Sequence, residues 1–143
     1  MVALTTDRNT PEKMGPESTG LLGASQAIWA GAILMRNASG HLIEGATATG
    51  SFGVGRAEER LTSTTAGVTA IRFKRGTFRF VNSSAGDLIA TADIGAVAYI
   101  VDDQTVAKTN GSATRSPAGI IDGVDAQGVW VRFDEALVRA ALS

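Results

Sequence analysis

Apolar and charged side chains alternate most regularly in the middle of the chain, where residues 71–74 read Ile-Arg-Phe-Lys and residues 78–80 read Phe-Arg-Phe. A period of two is typical of a strand that buries one face. Phe73 and Phe78 are separated by an odd step, so they cannot share a face of one regular strand. We therefore expect a half-exposed antiparallel sheet with a bulge or a turn at Arg75-Gly76.

Other apolar runs predict further short strands. Residues 27–36 are almost continuously apolar, which fits a buried strand pair or a short helix. The turn-forming residues at 37–40 favour a hairpin that continues into 41–43. The remaining strands are expected at 52–61, at 94–101 pairing with 106–109, and at 118–124 and 128–133 around a connection at 125–127.

The two ends of the chain lack this pattern. Residues 1–26 contain two of the three prolines and sustain no period, so we expect an extended arm that only another contact would order. Residues 134–143 have helical spacing, with Asp134 as the N-cap. The predicted organisation is an arm at 1–26, a β-rich domain at 27–133 and a helical tail at 134–143. The fold class is all-β, a small antiparallel barrel or sandwich with an extended N-terminal arm and a short C-terminal helix.

The composition limits the classes of function. The 143 residues suffice for one domain with its own core, and they include no cysteine. Thirteen basic and fourteen acidic side chains give a net charge of −1, without the basic excess of nucleic-acid-binding proteins. No apolar run approaches the roughly 20 residues that span a bilayer, and the first ten residues lack a secretion signal. We expect a protein made in the cytoplasm that binds neither nucleic acid nor membranes.

The sequence offers little for catalysis. His41 is the only histidine and follows a Ser-Gly turn, so we interpret it as an exposed residue at the start of a strand. Glu58-Glu59 and Asp102-Asp103 are adjacent carboxylates, which point to opposite faces of a strand. The glycines at 50–55 lack the Lys-Ser/Thr and the helix of a phosphate loop, and a kinked barrel strand explains them. We predict no catalytic residue, no metal site and no cofactor, and we expect that the protein is not an enzyme.

Basic and aromatic residues are the candidates for intermolecular contacts. Arg72, Lys74, Arg75 and Arg79 predict a basic stripe on one sheet face, which fits an acidic protein partner. The interleaved phenylalanines leave an alternative open, a small β-barrel module that binds nucleic acid or a host component.

The two tryptophans are interpreted differently. In residues 128–133 the valines and Phe133 are expected on one face, with Trp130 and Arg132 on the other. Trp130 fits a core role and an interface role equally well. Trp29 lies inside an apolar run, so we predict that it belongs to the core.

Seven short segments follow one another in a characteristic order. They are 7–11 (DRNTP), 30–32 (AGA), 47–50 (TATG), 54–59 (VGRAEE), 75–80 (RGTFRF), 99–107 (YIVDDQTVA) and 128–133 (GVWVRF). In this order they resemble the small structural proteins encoded beside the major head protein in Mu-like tailed bacteriophages and prophages, which are called decoration, cement or minor capsid proteins. The resemblance covers residues 7–133 and rests on the whole set, because each segment alone is ordinary strand and turn sequence.

The resemblance implies a β-rich protein on the exterior of the virion capsid, with the major capsid protein as its partner and no enzymatic activity. From the exposure pattern, the capsid-contact candidates are Asp7, Arg8, Asn9, Thr10 and Pro11 in the arm, with Arg72, Lys74 and Arg79 on the basic stripe. The self-association candidates are Trp130, Arg132 and Leu137. Closed symmetry predicts a homo-oligomer, most simply a trimer.

Overall fold

The computed structural model describes residues 2–10, 12–13 and 15–141. Within these residues the chain forms twelve short strands, two 3₁₀ turns at Ala85–Asp87 and Thr91–Asp93, and one helix, α1 (Glu135–Ala140). The strands are β1 (Glu17–Leu21), β2 (Ala27–Ile28), β3 (Ile33–Arg36), β4 (Leu42–Glu44), β5 (Phe52–Ala57), β6 (Leu61–Thr62), β7 (Ala70–Lys74), β8 (Thr77–Asn82), β9 (Val97–Ile100), β10 (Thr105–Ala107), β11 (Pro117–Asp125) and β12 (Gly128–Arg132). The predicted all-β fold class is confirmed.

The strands form a five-stranded sheet, a closed barrel and a small two-stranded ribbon. The sheet has the order β1-β7-β5-β3-β4, and the ribbon joins β2 to β6. The barrel has the order β10-β8-β12-β11-β9 and closes through a parallel pairing of β8 with β10. All other strand pairs are antiparallel, as the sequence predicts.

Strand β3 contributes to two hydrophobic cores at once. Ile33 and Met35 pack with the barrel residues, whereas Leu34 packs with the core of the five-stranded sheet. Successive side chains of a strand point to opposite faces, so one strand can serve both cores. The sheet and the barrel therefore share a wall and form one body, which we define as residues 17–141.

The predicted hairpins are present. β3 and β4 pair around the turn at 37–40, where the side chain of Asn37 accepts hydrogen bonds from the backbone N–H groups of Ser39 and His41. β9 pairs with β10, and β11 pairs with β12 across residues 125–127. Turn residues and alternation are local signals, which explains why these hairpins are legible in the sequence.

The chain passes from one sheet to the other between β7 and β8. Phe73 is buried in the sheet core and Phe80 in the barrel core, while Gly76 between them has a φ of +150°. The odd step between Phe73 and Phe78 thus marks a turn that changes sheets, one of the two predicted alternatives. It also means that β7 and β8 are not one half-exposed sheet.

Two further predictions about the strands need correction. The run 27–36 is neither a continuous strand pair nor a helix, because a turn at Trp29–Ala32 separates β2 from β3. The glycine-rich β5 lies in the five-stranded sheet and not in the barrel. Its irregularity is a register shift opposite Leu34 and Met35.

The predicted arm is shorter than expected, because Glu17–Leu21 form the edge strand β1. Arg72 on β7 binds Glu17 through a 3.0 Å ion pair, and Leu42 fills the space that a side chain at Gly20 would need. These contacts involve residues far away in the chain, so the local sequence does not reveal them. Residues 2–10 and 12–13 precede β1, contain no strand or helix, and are exposed.

The predicted C-terminal helix is confirmed as α1. The side chain of Asp134 accepts a 3.2 Å hydrogen bond from the backbone N–H of Leu137, so Asp134 is the N-cap as expected. The side chain that α1 buries is Val138, in the core of the five-stranded sheet. In the part of the chain described above, no helix is long and apolar enough to cross a membrane.

Candidate interaction surface

Trp130 lies on the outer face of the barrel. Val129 and Val131 beside it on β12 are fully buried, so the predicted alternation of this strand is confirmed. The indole is 37% exposed, and its Nε1 donates a 2.8 Å hydrogen bond to Oδ2 of Asp125. Arg79 is the cross-strand partner of Trp130, and its guanidinium carbon lies 5.4 Å from the centre of the indole ring.

Trp29 is exposed, which contradicts the prediction that it belongs to the core. It opens the turn between β2 and β3, where Ala32 N–H bonds to the Trp29 carbonyl and Gly31 has a φ of +90°. This left-handed φ suits glycine at the third turn position. The turn leaves the indole 57% exposed.

Arg60 covers one face of the exposed Trp29 ring. β2 pairs with β6 so that Ile28 lies opposite Leu61, and extending this register by one residue places Arg60 opposite Trp29. The guanidinium carbon of Arg60 is 4.2 Å from the centre of the ring. Both tryptophans thus have an arginine as cross-strand neighbour, in the geometry of a cation–π contact.

A shallow groove connects the two indoles. It consists of a depression of about 410 Å³ beside Trp130 and one of about 370 Å³ beside Trp29, and both are lined by Gly31 and Gln104. We call it the two-tryptophan groove. Its lining includes Trp29, Arg79, Val81, Gln104 and Trp130, of which Val81 is a third exposed apolar side chain. Arg60 lies beside the groove, against the Trp29 ring.

An acidic residue lies near each end of the groove, Asp125 near Trp130 and Asp103 near Trp29. The indole N–H of Trp130, followed by the backbone N–H of Gln127, holds the pKa of Asp125 below its ordinary value. Asp103 lines the Trp29 end, and its backbone carbonyl accepts a hydrogen bond from Ile33. The groove therefore presents both charge signs.

The predicted basic stripe does not form one face. Arg72 and Lys74 lie on β7 in the five-stranded sheet, whereas Arg79 lies on β8 in the barrel. Arg72 is engaged by Glu17 at 3.0 Å and by Glu59 at 3.3 Å, and the hydrogen bond to Glu17 raises the pKa of its guanidinium. The stripe failed as a prediction because residues on consecutive strands belong to different sheets.

Arg75 is exposed and also binds the first residue of the helix. Its guanidinium lies 2.7 Å from Glu135, whose carboxylate is also 3.6 Å from Arg36. Glu135 is the first residue of α1, so these contacts hold the start of the helix against the ends of β3 and β7.

The other predicted site residues are dispersed. Asp7, Arg8, Asn9 and Thr10 are exposed, and Pro11 lies outside the described residues. Arg132 is exposed on β12 and 3.5 Å from Asp134, and Leu137 is 50% exposed on α1. Their roles in capsid contact and self-association stay predictions.

The residues considered for catalysis have structural partners. Glu58 accepts two hydrogen bonds from Arg56, which hold the pKa of its carboxyl below the ordinary value, whereas Glu59 binds Arg72. His41 precedes β4 as expected, but it is half-buried and not exposed as predicted. Among residues 2–10, 12–13 and 15–141, no three acidic or histidine side chains are grouped so that they could hold a metal ion.

Sequence reasoning missed the Trp29 end of the groove. The available signal was Gly31 between two alanines, since a glycine flanked by small residues inside an apolar run is typical of a turn.

Comparisons of the chain with protein-family models, with curated proteins and with solved structures found no match.

Proposed function

We propose that this chain is a decoration protein of a tailed-bacteriophage capsid. It binds the outer surface of the major capsid protein lattice and reinforces the contacts between capsomers. It acts by binding alone, as a homo-oligomer of three copies on the exterior of the virion. The order of the seven short segments along the chain supports this proposal.

The observation that carries the proposal is the exposed N-terminal arm ahead of a closely packed body. Val2 is 89% and Leu4 is 73% exposed, so the arm presents apolar side chains that its own body does not cover. Burying a Val or Leu side chain contributes about 1.5–3 kcal/mol. A neighbouring subunit that covers these side chains would gain this energy at each copy.

The body supplies an anchor for such an arm. The arm runs directly into β1, an edge strand of the five-stranded sheet that pairs with β7 over five residues. An arm fixed at one end bridges two subunits without enlarging the domain. Repetition over a symmetric lattice then multiplies a modest contact through avidity.

The direct experiment counts this chain in purified particles made by the genome that encodes it. We expect a fixed ratio to the major head subunit, and density on the outer surface in images of the particles. Absence from mature particles would overturn the proposal. So would turnover of a defined compound that depends on a single residue.

The role of the arm is tested by a chain that starts at Met14. This truncation removes residues 1–13 and leaves β1 intact, whereas a deletion to residue 20 would also remove most of that strand. We expect an unchanged unfolding transition and a loss of binding to particles that lack the protein. Normal occupancy by the truncated chain would exclude the arm as the bridging element.

A double substitution refines this test. Val2→Ser with Leu4→Ser removes only the exposed apolar side chains of the arm and should lower occupancy. The matched control is Val68→Ser, which alters an exposed valine outside the arm, 70% accessible in the loop before β7.

A further inference from the structure

The two arginines that lie against the tryptophans of the groove differ from most arginines of the body. A carboxylate lies 2.7–3.0 Å from Arg56, which also lines the groove, and from Arg72 and Arg75. In the described residues, the side chains of Arg60 and Arg79 donate no hydrogen bond. Arg79 approaches Asp125 only to 3.7 Å, and the nearer oxygen of that carboxylate already accepts from Trp130.

The two guanidinium groups are nevertheless held in place. Each lies against an indole ring, so its position is fixed while its N–H groups remain available. A planar guanidinium with free N–H groups is matched to a carboxylate, which it can bind through two parallel hydrogen bonds. Stacking also reduces the conformational entropy that binding would cost.

We infer that the two-tryptophan groove binds a carboxylate-bearing segment of a partner protein. Arg60 and Arg79 bind acidic side chains of that segment, one beside each tryptophan. Trp29, Trp130 and Val81 cover the apolar parts of the segment. The amide of Gln104, exposed between them, can bond to its backbone.

The composition of the groove favours a protein over a nucleic acid. Tryptophan and arginine dominate the energetics of protein interfaces. A nucleic acid carries an unbroken series of phosphates, and Asp103 and Asp125 would repel it at both ends of the groove. Separate carboxylates on a protein can avoid those two positions.

This inference deepens the proposed function and rests on it, because the carboxylate-bearing segment would belong to the capsid subunit. The arm would then hold the neighbouring subunit while the groove holds the one beneath. Binding through charge pairs should weaken as the salt concentration rises.

Tryptophan fluorescence tests the groove directly, because both tryptophans of the chain lie in it. The probe is a hexaglutamate peptide with blocked ends, compared with hexaglutamine and with a thymidine hexanucleotide. We expect a saturable change of emission with hexaglutamate at low salt. The double variant R60Q/R79Q should bind about tenfold more weakly, since two solvent-exposed charge pairs are lost.

The matched control is the same Arg→Gln substitution at an arginine outside the groove. Arg139 on α1 lies 5.7 Å from the ring of Phe52, and R139Q should bind hexaglutamate as the wild type does. R60K/R79K retains the charges without the paired N–H groups and should bind with intermediate affinity. This variant also keeps the test informative if R60Q/R79Q fails to fold.

Four results would overturn the inference. They are an equal response to hexaglutamine, an equal loss of affinity in R139Q, tighter binding of the oligonucleotide, and an emission change that follows protein concentration without peptide. The third would assign the groove to nucleic acid, and the fourth to a second copy of the chain.

The failure of the inference can be separated from the failure of the proposed function. If the wild-type chain is absent from particles, the decoration role fails whatever the groove binds. If the wild-type chain and R60Q/R79Q occupy particles equally, the decoration role stands and the groove is not the contact.

Discussion

The indole Nε1 of Trp130 donates a 2.8 Å hydrogen bond to Oδ2 of Asp125, five residues earlier on the β11–β12 hairpin. The other carboxylate oxygen accepts from the backbone N–H groups of Gln127 and Gly128. One carboxylate therefore closes the turn and orients the indole of the two-tryptophan groove. An exposed aromatic ring gains a fixed position from this arrangement, which lowers the cost of using it for binding.

The Asp125–Trp130 bond should make stability depend on pH. The bond lowers the pKa of Asp125 in the folded state, so the folded protein binds fewer protons than the unfolded one. The stabilisation is complete above the ordinary pKa and is lost as the pH falls through the folded value. We expect Asp125→Asn to lower the unfolding temperature at neutral pH, because one amide oxygen cannot replace two carboxylate oxygens.

The measurement is thermal unfolding of both proteins between pH 7 and pH 2.5. The difference in unfolding temperature between the wild type and Asp125→Asn should become smaller below about pH 4. Asp122→Asn, which alters an exposed carboxylate on the same strand, is the control. If the difference in unfolding temperature between the wild type and D125N is the same at every pH, the charge of Asp125 does not contribute to stability.

Gly53 should be intolerant of any side chain. It lies where β5 approaches β11, and a Cβ at this position would collide with the backbone carbonyl of Ala118. Because backbone cannot rotate away as a side chain does, Gly53→Ala should destabilise the protein by about 1–3 kcal/mol. Gly86→Ala, at a position with nothing within 4 Å, should have little effect in the same urea titration.

The sequence predicts those elements whose determinants are local. The β11–β12 hairpin follows from its alternation and its Asp-Ala-Gln connection. The placement of Trp130 on the face opposite Val129 and Val131 follows with it, whereas the choice between a core and an interface role stayed open. Asp134 is recognisable as an N-cap because the cap needs only the residues of the first helical turn. Each of these predictions depends on neighbours within a few positions.

Prediction from the local sequence fails where residues far away in the chain determine the structure. β1 becomes a strand because β7 lies beside it, and Gly20 admits the side chain of Leu42 from the other edge of the sheet. Trp29 is hydrophobic enough for a core, yet the turn at Gly31 directs it to the surface. The groove as a whole therefore cannot be predicted from the sequence, since its two ends come from different sheets.

The N-cap of α1 can be separated from the ion pair that the same side chain makes. Asp134 accepts a hydrogen bond from Leu137 N–H and lies 3.5 Å from Arg132. Asp134→Ala removes both contacts and should cost about 0.5–2 kcal/mol in a denaturant titration. Asp134→Asn retains a good N-cap and loses the ion pair, so it should cost less than about 1 kcal/mol. If both variants lose the same free energy of unfolding, the N-cap hydrogen bond does not contribute to stability.

Adjacent residues of α1 should separate folding from self-association. Val138 is fully buried in the core of the five-stranded sheet, whereas Leu137 beside it is 50% exposed. Val138→Ala removes buried methyl groups and should lower the free energy of unfolding by about 1–3 kcal/mol. Leu137→Ala should change it by no more than about 0.5 kcal/mol, because the side chain loses little packing.

Sedimentation velocity of the same two variants then tests the predicted contact between copies. If Leu137 lies in that contact, Leu137→Ala shifts the wild-type oligomer toward the monomer at a given concentration, although its stability is nearly unchanged. Val138→Ala, compared at a temperature where it is fully folded, should assemble as the wild type does, because its side chain never reaches the surface. An oligomer that is insensitive to Leu137→Ala would remove α1 from the contact. Arg132 on β12 would then be the remaining candidate outside the two-tryptophan groove.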